Sequence, residues 1–583
     1  MKRVLLSGNE AIARGAYEAG VRFAAAYPGT PSTEVLENIA AYKEIDAHWA
    51  INEKVALEEG IGASFAGARV LVAMKHVGLN VAADPLMTFS YTGVNGGVVI
   101  VVADDTGMHS SQNEQDSRQY ARFAKVPLLE PADSQEAKDF VKIALEISEE
   151  YDTLVILRSS TRISHAQSLV ALAEREEVSL RPYEKSTKRV MMPAFARPRH
   201  VKVEERLGLL GRYAEKAPVN RIEWRDRKTG VICAGICYQN VREALPDASV
   251  LKLGMCYPLP VQLIRDFAAG VDRLYVVEEL DPFLEEQIKA AGIDICGKKI
   301  FPTVGEIHPN LIAEKITGRP LTAPLIAADP ETPVPARPPV LCPGCPHRSV
   351  FYTLKREKMV VSGDIGCYTL GALPPLEAID SCICMGASIS AGLGFEKGNP
   401  DLKGKVVSVI GDSTFFHSGM TGLADVVYNQ GSTLTIVLDN RITAMTGHQH
   451  NPGTGYTLKG KPTTAIQIAP LCRALGVKRV REIDPYDLQK LQEAIREEAA
   501  AAEPSVIVAR RPCALLDKST KGYYEIDSEK CTGCRACMGL GCPAVIREED
   551  GMAIDSSLCV GCGVCAQVCK FGAIKKAGGE DEK

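Results

Sequence analysis

No strong excess of charge of either sign marks this chain of 583 residues. Its 67 lysines and arginines stand against 72 aspartates and glutamates, a formal net charge of -5. So small an imbalance gives no sign of the broad field by which proteins hold nucleic acid or an anionic membrane surface. Long apolar runs are missing as well. The first, Val4-Leu5-Leu6, follows Lys2 and Arg3 but gives way at once to Ser7-Gly8-Asn9-Glu10, which predicts neither a secretory signal nor a membrane-spanning helix. The remainder, 46% apolar and 24% charged, has the composition of a soluble globular protein, and its length predicts about three to five domains. Cysteine is plentiful. Eight of the 19 cysteines lie between Cys531 and Cys569 at metal-ligand spacing, which predicts a reducing cytoplasm rather than an extracellular disulfide framework.

The most informative stretch runs from Val406 to Gln449. Val406-Val407-Ser408-Val409-Ile410 ends abruptly in Gly411-Asp412-Ser413, and after 25 intervening residues the apolar run from Leu434 ends in Asp439-Asn440. Both runs have the pattern of buried parallel strands, and open α/β sheets bind ligands beyond the C-terminal ends of such strands. Asp412 and Asn440 offer hard oxygen ligands, and Ile442 a backbone carbonyl, a set suited to a magnesium ion that also holds a diphosphate. Two ordinary strand ends with polar caps are the bland alternative.

Residues 1 to about 180 alternate helix-like and strand-like segments. Tyr27-Pro28-Gly29-Thr30-Pro31 reads as a turn before a helix, Glu53 to Ala66 as a helix with small residues, and Arg69 to Met74 and Gly97 to Ala103 as buried strands. The loop from Asp104 to Arg118 is crowded with polar groups, and loops at strand ends are where α/β proteins keep their sites. Residues 190 to 225 read as basic and irregular. A further α/β unit starts near Gly230, with Cys233, Cys237, Cys256 and Cys296 as buried apolar groups. Seven prolines from Pro320 to Pro339 predict an extended linker. Beyond it, Cys342-x2-Cys345 and Cys367 admit an iron–sulfur cluster, zinc, a redox dithiol or plain packing, with neither Cys472 nor Cys513 an obvious fourth ligand. The helix expected from Ser381 to Leu393 is rich in Gly, Ala and Ser, which suggests packing against a cofactor or another subunit.

At the end of the chain stand Cys531-x2-Cys534-x2-Cys537-x4-Cys542-Pro543 and, 28 residues on, Cys559-x2-Cys562-x2-Cys565-x3-Cys569. Halves this short lack a large apolar core, so ligation must supply much of their folding energy. Soft thiolates at this spacing select four-iron clusters.

The Gly411-Asp412-Ser413…Asp439-Asn440 spacing resembles the thiamin-diphosphate fingerprint, with Ser413 and Asp439 departing from the usual glycine and asparagine. Leu438 to Gln449, Asn52-Glu53-Lys54-Val55-Ala56 and the Thr30 turn resemble segments of the thiamin-dependent 2-oxoacid:ferredoxin oxidoreductases. The terminal repeat resembles a bacterial two-cluster ferredoxin, although Cys542 follows four residues where three are usual and Lys570 replaces a proline. The resemblance covers nearly the whole chain and is closest to alpha-type subunits acting on aryl-pyruvates. It implies an α/β multidomain thiamin-diphosphate-binding fold with a C-terminal two-cluster ferredoxin-like domain. The implied segments are a pyrimidine-type domain over 1–185, a transketolase C-terminal-like domain over 190–318, a linker over 319–340, a diphosphate and magnesium domain over 341–512 and the ferredoxin module over 522–578.

It also implies roles. Glu53 activates the pyrimidine ring of thiamin diphosphate, Thr30 bonds the 2-oxo acid and Arg118 helps hold the substrate carboxylate. Gly411, Asp412, Ser413, Asn440 and Ile442 bind the diphosphate and Mg2+. One [4Fe-4S] cluster takes Cys531, Cys534, Cys537 and Cys569, and the other takes Cys559, Cys562, Cys565 and Cys542. A third cluster near Cys342, Cys345 and Cys367 has counterparts in the family. The implied reaction cleaves an aryl-pyruvate oxidatively with coenzyme A and reduces ferredoxin, in an alpha2beta2 assembly with a smaller beta subunit carrying the missing gamma-type domain. Non-oxidative decarboxylation with structural clusters and a pure electron-transfer subunit are the alternatives.

Overall fold

The computed structural model describes residues 2–183, 185–321, 337–517, 519–520, 522–548 and 551–577. It divides into two compact units, residues 1–331 and 332–583. Most of the expected proline-rich linker, 322–336, lies outside the described residues.

The first unit is built on a seven-stranded sheet. Its strands lie in the order Met255–Tyr257, Leu128–Leu129, Val155–Ser160, Val98–Asp104, Val70–Lys75, Phe23–Ala26 and Asp46–Trp49. All neighbours are parallel except the first pair. The central strands are buried along their whole length, as expected when helices cover both faces of a parallel sheet and the sequence is a continuous β-branched run. One such helix, Gly8–Glu18, carries a capping box of Ser7 and Glu10. It approaches the Ser134–Glu150 helix so closely that a Cβ on Gly15 would lie 2.3 Å from the Lys138 carbonyl oxygen.

A four-stranded sheet follows, ordered Arg273–Val277, Asp226–Ala234, Ala248–Leu253 and Arg221–Glu223. The chain then adds Met255–Tyr257 to the edge of the larger sheet. Ile232, Leu251 and Phe267 consequently share one apolar core with Ile100 and Ile156. Residues 190–225, read as irregular from the sequence, contain a 22-residue helix, Pro193–Ala214. Only Val203, Arg206, Leu210 and Ala214 of its residues are buried. Arg206 stands in that inner stripe because it donates to the carbonyls of Asp152 at 2.8 Å and Ser90 at 2.7 Å, so a charged residue hides the helical periodicity.

The second unit holds a six-stranded sheet, ordered Ser381–Cys382, Val360–Gly363, Val406–Gly411, Leu434–Asp439, Ser505–Arg510 and Arg479–Ile483. Every pairing is parallel, so Asp364, Asp412 and Asn440 all emerge at its C-terminal edge. The terminal module pairs Tyr524–Ile526 with Ile574–Lys576 and Val545–Glu548 with Gly551–Ile554. Its small core is Cys537, Val545, Met552 and Ile574, with Tyr524, Ile526, Ile554, Ala566 and four further cysteines packed around them. Among the described residues no helix is long and apolar enough to cross a membrane.

Arg118 joins the two sheets of the first unit, and here the structure departs from the substrate-binding role expected of it. The guanidinium is buried. It bonds Asp116 at 2.8 Å through Nε and 2.6 Å through Nη2, Glu278 at 2.8 Å through Nη1, and the Glu279 carbonyl at 2.8 Å. Burial alone would lower its pKa, but Asp116 and Glu278 outweigh that and raise it well above the ordinary arginine value. Every nitrogen is thus engaged by an internal acceptor. Removing one member of such a buried network strands the others: Arg118→Met should cost about 3–5 kcal/mol, read as a lowered thermal unfolding midpoint of the full chain.

Candidate functional site

The Val406–Gly411 strand delivers Asp412 to the start of a short helical turn, Asp412–Thr414, which runs through a π-helical turn, Phe415–Gly419, into the helix Met420–Tyr428. Such π insertions recur at functional sites. Asp412 is buried, and its Oδ2 accepts from Asn451 Nδ2 at 3.1 Å. Burial, reinforced by the charge of Asp439, pushes its carboxyl up to about 7 against the weaker opposing bond from Asn451. The neighbouring strand ends at Asn440, whose Oδ1 accepts from the Ile442 N–H at 3.3 Å. Thr443 Oγ1 donates to Ser413 Oγ at 3.0 Å, fastening the two strand ends together.

Asp439, one of the two departures from the fingerprint, turns away from this group. Its carboxylate is bonded by Arg510 Nε at 2.8 Å on the adjacent strand and paired with Arg441 at 3.4 Å. Asp412 itself has no cationic partner among the described residues and is bonded by the amide of Asn451, with Asn440 at the end of the adjoining strand. A hard oxygen donor set with a proton-retaining carboxylate fits a magnesium ion that would restore the ionised form. Asn451 was missed in the sequence; it sits in an irregular loop ahead of Pro452-Gly453, with no strand end or fixed spacing to flag it.

Asp364 occupies the same edge and organises it. Its carboxylate accepts from the N–H groups of Ile365 at 2.8 Å, Gly386 at 2.9 Å and Ser388 at 2.9 Å, so it seats the N-terminus of helix Ala387–Gly398. The helix begins six residues later than the sequence suggested, because Ser381–Cys382 is spent as an edge strand. Its small residues serve its own sheet: a Cβ on Gly392 would lie 2.2 Å from Ser408 Oγ.

Next to this edge lie thiols. The strand Ser505–Arg510 leads to Cys513, whose N–H donates to the Asn440 carbonyl at 3.0 Å. After burial, the neighbouring Cys513 and Cys342 raise the Cys367 thiol to about 11, and the pair Cys342 and Cys367 likewise adds to the rise of buried Cys345 to about 12. Cys342 thus acts electrostatically on Cys345, Cys367 and Cys513, the last a cysteine that spacing alone did not single out. Cys472 is not among them; it packs in a separate apolar core with Ile468 and Val477. In the terminal module, a small cavity of about 30 Å³ is lined by Cys542, Cys559, Cys562 and Cys565 together with Gly344 and Cys345. Cys531 and Cys534 in turn bear on Cys537. Among the described residues no three His, Cys, Asp or Glu side chains group closely enough to hold a single ion; it is the soft thiolate donor set, four cysteines on one cavity, that suits an iron–sulfur group.

In the first unit Glu53 opens the helix Glu53–Phe65, with Asn52 Oδ1 capping it through the Val55 N–H at 2.9 Å. Glu53 is 4% exposed, and its carboxylate lies against Gly78, where a Cβ would come within 2.5 Å of Oε1. Glu58, one turn on, pairs instead with Lys54 at the surface. The Thr30 carbonyl accepts from Ser110 Oγ at 3.3 Å, and Ser110 also receives Lys75 Nζ on its carbonyl at 2.8 Å. Burial lowers Lys75 to about 8, with Asp105 partly opposing. The polar loop from Asp104 is largely knitted to itself: Asp105 accepts from Ser111, Thr161 and the Ser110 N–H, and together these outweigh burial and hold it near 2.

Comparison with known proteins agrees with this layout. Residues 14–208 match the thiamin-diphosphate-binding family of pyruvate flavodoxin/ferredoxin oxidoreductases, 364–509 the C-terminal binding domain of thiamin pyrophosphate enzymes, and 552–575 a 4Fe-4S binding domain. The chain is similar to the indolepyruvate oxidoreductase subunit IorA of Pyrococcus abyssi, 43% identical over 99% of this chain and 97% of that one. The IorA subunits of Archaeoglobus fulgidus and Methanothermobacter thermautotrophicus are each 40% identical, over 99% of this chain and 98% of theirs.

The Asp412 carboxyl gives a pH test. Its folded pKa lies above the ordinary 3.8, so the folded state binds the proton more tightly, and stability falls as pH rises from that range through about 7. In chelator, Asp412→Asn should remove this fall, a gain of the order of 4 kcal/mol at the alkaline end, and magnesium should offset it in the unsubstituted protein. Thermal unfolding between about pH 5 and pH 8.5 checks both.

Proposed function

The chain belongs to the family of indolepyruvate oxidoreductase IorA subunits, and on that premise we propose that it catalyses the oxidative decarboxylation of indolepyruvate and related aryl-pyruvates. Coenzyme A takes the acyl group, giving aryl-acetyl-CoA and carbon dioxide, and ferredoxin takes the electrons. The observation that carries this reading is the bond between the Cys513 N–H and the Asn440 carbonyl at 3.0 Å. It ties Cys513 to the sheet edge that carries Asp412, which supports a short path from the place where electrons are released to a first acceptor.

Thiamin diphosphate, when bound, supplies the nucleophilic carbon and the electron sink that carbon dioxide loss requires. The residues of this chain hold and tune it. Asp412, Asn440 and the Ile442 carbonyl coordinate Mg2+ at the diphosphate end, with Gly411 and Ser413 beside them and Asn451 orienting Asp412. Glu53 bonds the pyrimidine end, and its burial against Gly78 keeps water away and strengthens that bond. Thr30 positions the 2-oxo acid. Arg118 has no part in this, because its guanidinium is committed inside the first unit.

Cys342, Cys345, Cys367 and Cys513 hold a first four-iron cluster. Cys542, Cys559, Cys562 and Cys565 hold a second, at the cavity whose lining also includes Cys345. Cys531, Cys534, Cys537 and Cys569 hold a third, toward ferredoxin. A smaller partner subunit completes the enzyme in an alpha2beta2 assembly.

The test is anaerobic reduction of ferredoxin by the chain purified with its small partner. Indolepyruvate and phenylpyruvate should support reduction that depends on coenzyme A, and pyruvate should support it poorly; carbon dioxide release without ferredoxin reduction would instead establish simple decarboxylation. In the same assay Glu53→Gln should lower kcat by about 10²–10⁴-fold, and Cys513→Ser should lower the iron and sulfide content by one cluster.

A further inference from the structure

Arg348 is a buried cation with no anion to face. It lies in the first turn of helix His347–Arg356 and is 4% exposed. Its Nη2 donates to the carbonyls of Leu341 at 2.6 Å and Cys342 at 3.2 Å, and its Nη1 to the carbonyl of Leu540 at 2.7 Å. It thereby ties the loop of the Cys342 pair to the turn between Cys537 and Cys542. Among the described residues no carboxylate lies within ion-pair distance of it, and its buried Nε–H has no hydrogen-bond partner. Yet it lines the space bounded by Cys542, Cys559, Cys562 and Cys565.

A guanidinium stays charged at any working pH, and burying one without a counter-charge is strongly unfavourable. Carbonyl dipoles compensate only in part. Four thiolates around a four-iron core carry a net negative charge, which grows by one on reduction. Hydrogen bonds to the sulfurs, burial and local charge are what set such a cluster's potential.

We propose that Arg348 is the positioning residue of the electron route: its charge and its free Nε–H act on the cluster held by Cys542, Cys559, Cys562 and Cys565 and raise that cluster's reduction potential, so that it accepts an electron from the neighbouring centre. This rests on the ligand sets proposed above. The step is a one-electron transfer. The first cluster is oxidised, the second is reduced, no bond forms or breaks, and the added negative charge is stabilised by the guanidinium. The two centres are adjacent: Gly344, inside the Cys342–Cys345 loop, packs on Val560, inside the Cys559–Cys562 loop, so tightly that a Cβ there would lie 2.2 Å from Val560 Cγ2.

The experiment uses the whole chain with its partner subunit, reconstituted anaerobically, with iron and sulfide counted and the clusters titrated under EPR. In the unsubstituted protein, a missing cluster at this site would overturn the ligand assignment itself, independently of Arg348. With clusters present, Arg348→Met should shift one midpoint potential to a more negative value, and Arg348→Lys, which keeps the charge, should restore most of that shift. An unchanged midpoint in Arg348→Met at full iron content overturns the proposal. Should Arg348→Met lose iron, the unsubstituted protein grown with nitrogen-15 arginine decides: pulsed EPR should show a nitrogen coupling to a reduced cluster, and its absence overturns the proposal.

Discussion

The second unit is governed by the burial of negative charge at one sheet edge. Parallel strands ending together bring Asp364, Asp412 and Asp439 out of water within a single layer, and the cost of each is met differently. Asp364 is satisfied by three backbone N–H groups at a helix start. Asp439 is neutralised by Arg510 across the strand pair. Burial still raises the Asp364 carboxyl, but Asp412, with Asn451 as its side-chain donor and the charge of Asp439 nearby, holds its proton to about 7. That asymmetry is what makes it a cation site: a carboxylate already neutralised by an arginine has little to gain from a metal, whereas one in a low dielectric has much.

The same accounting explains the thiols and the arginines. Burial drives Cys345 and Cys565 up to about 12, so as free thiols they are poor nucleophiles; they become useful when a metal cluster replaces their protons. Arg118 and Arg348 are both buried, but their surroundings differ in kind. Arg118 faces Asp116 and Glu278 and closes a structural network, while Arg348 meets only carbonyls and opens onto the cysteine-lined space.

Much of this was legible in one dimension. Val406–Gly411 and Leu434–Asp439 announced themselves as unbroken apolar runs, and Asp412 and Asn440 stand at their ends because strand termini are fixed by where such runs stop. The helix at Glu53 was equally readable. What failed needed pairings across distance. Arg118 reads as a free cation in a polar loop until Glu278, 160 residues away, is brought to it. Cys513 shows no spacing to Cys342 or Cys367; only the strand order brings its backbone to Asn440 at the sheet edge. Helix Pro193–Ala214 was obscured by Pro198 within it and by Arg206 occupying an inner position.

If the proposed chemistry holds, carbon–carbon cleavage and electron transfer are joined in this chain. The most direct measurement mixes the anaerobic, oxidised enzyme with indolepyruvate in a single turnover, without ferredoxin, and follows carbon dioxide and cluster absorbance together. Cluster bleaching should accompany carbon dioxide release, and coenzyme A should drive both to completion. Carbon dioxide released while the clusters stay oxidised would contradict that coupling.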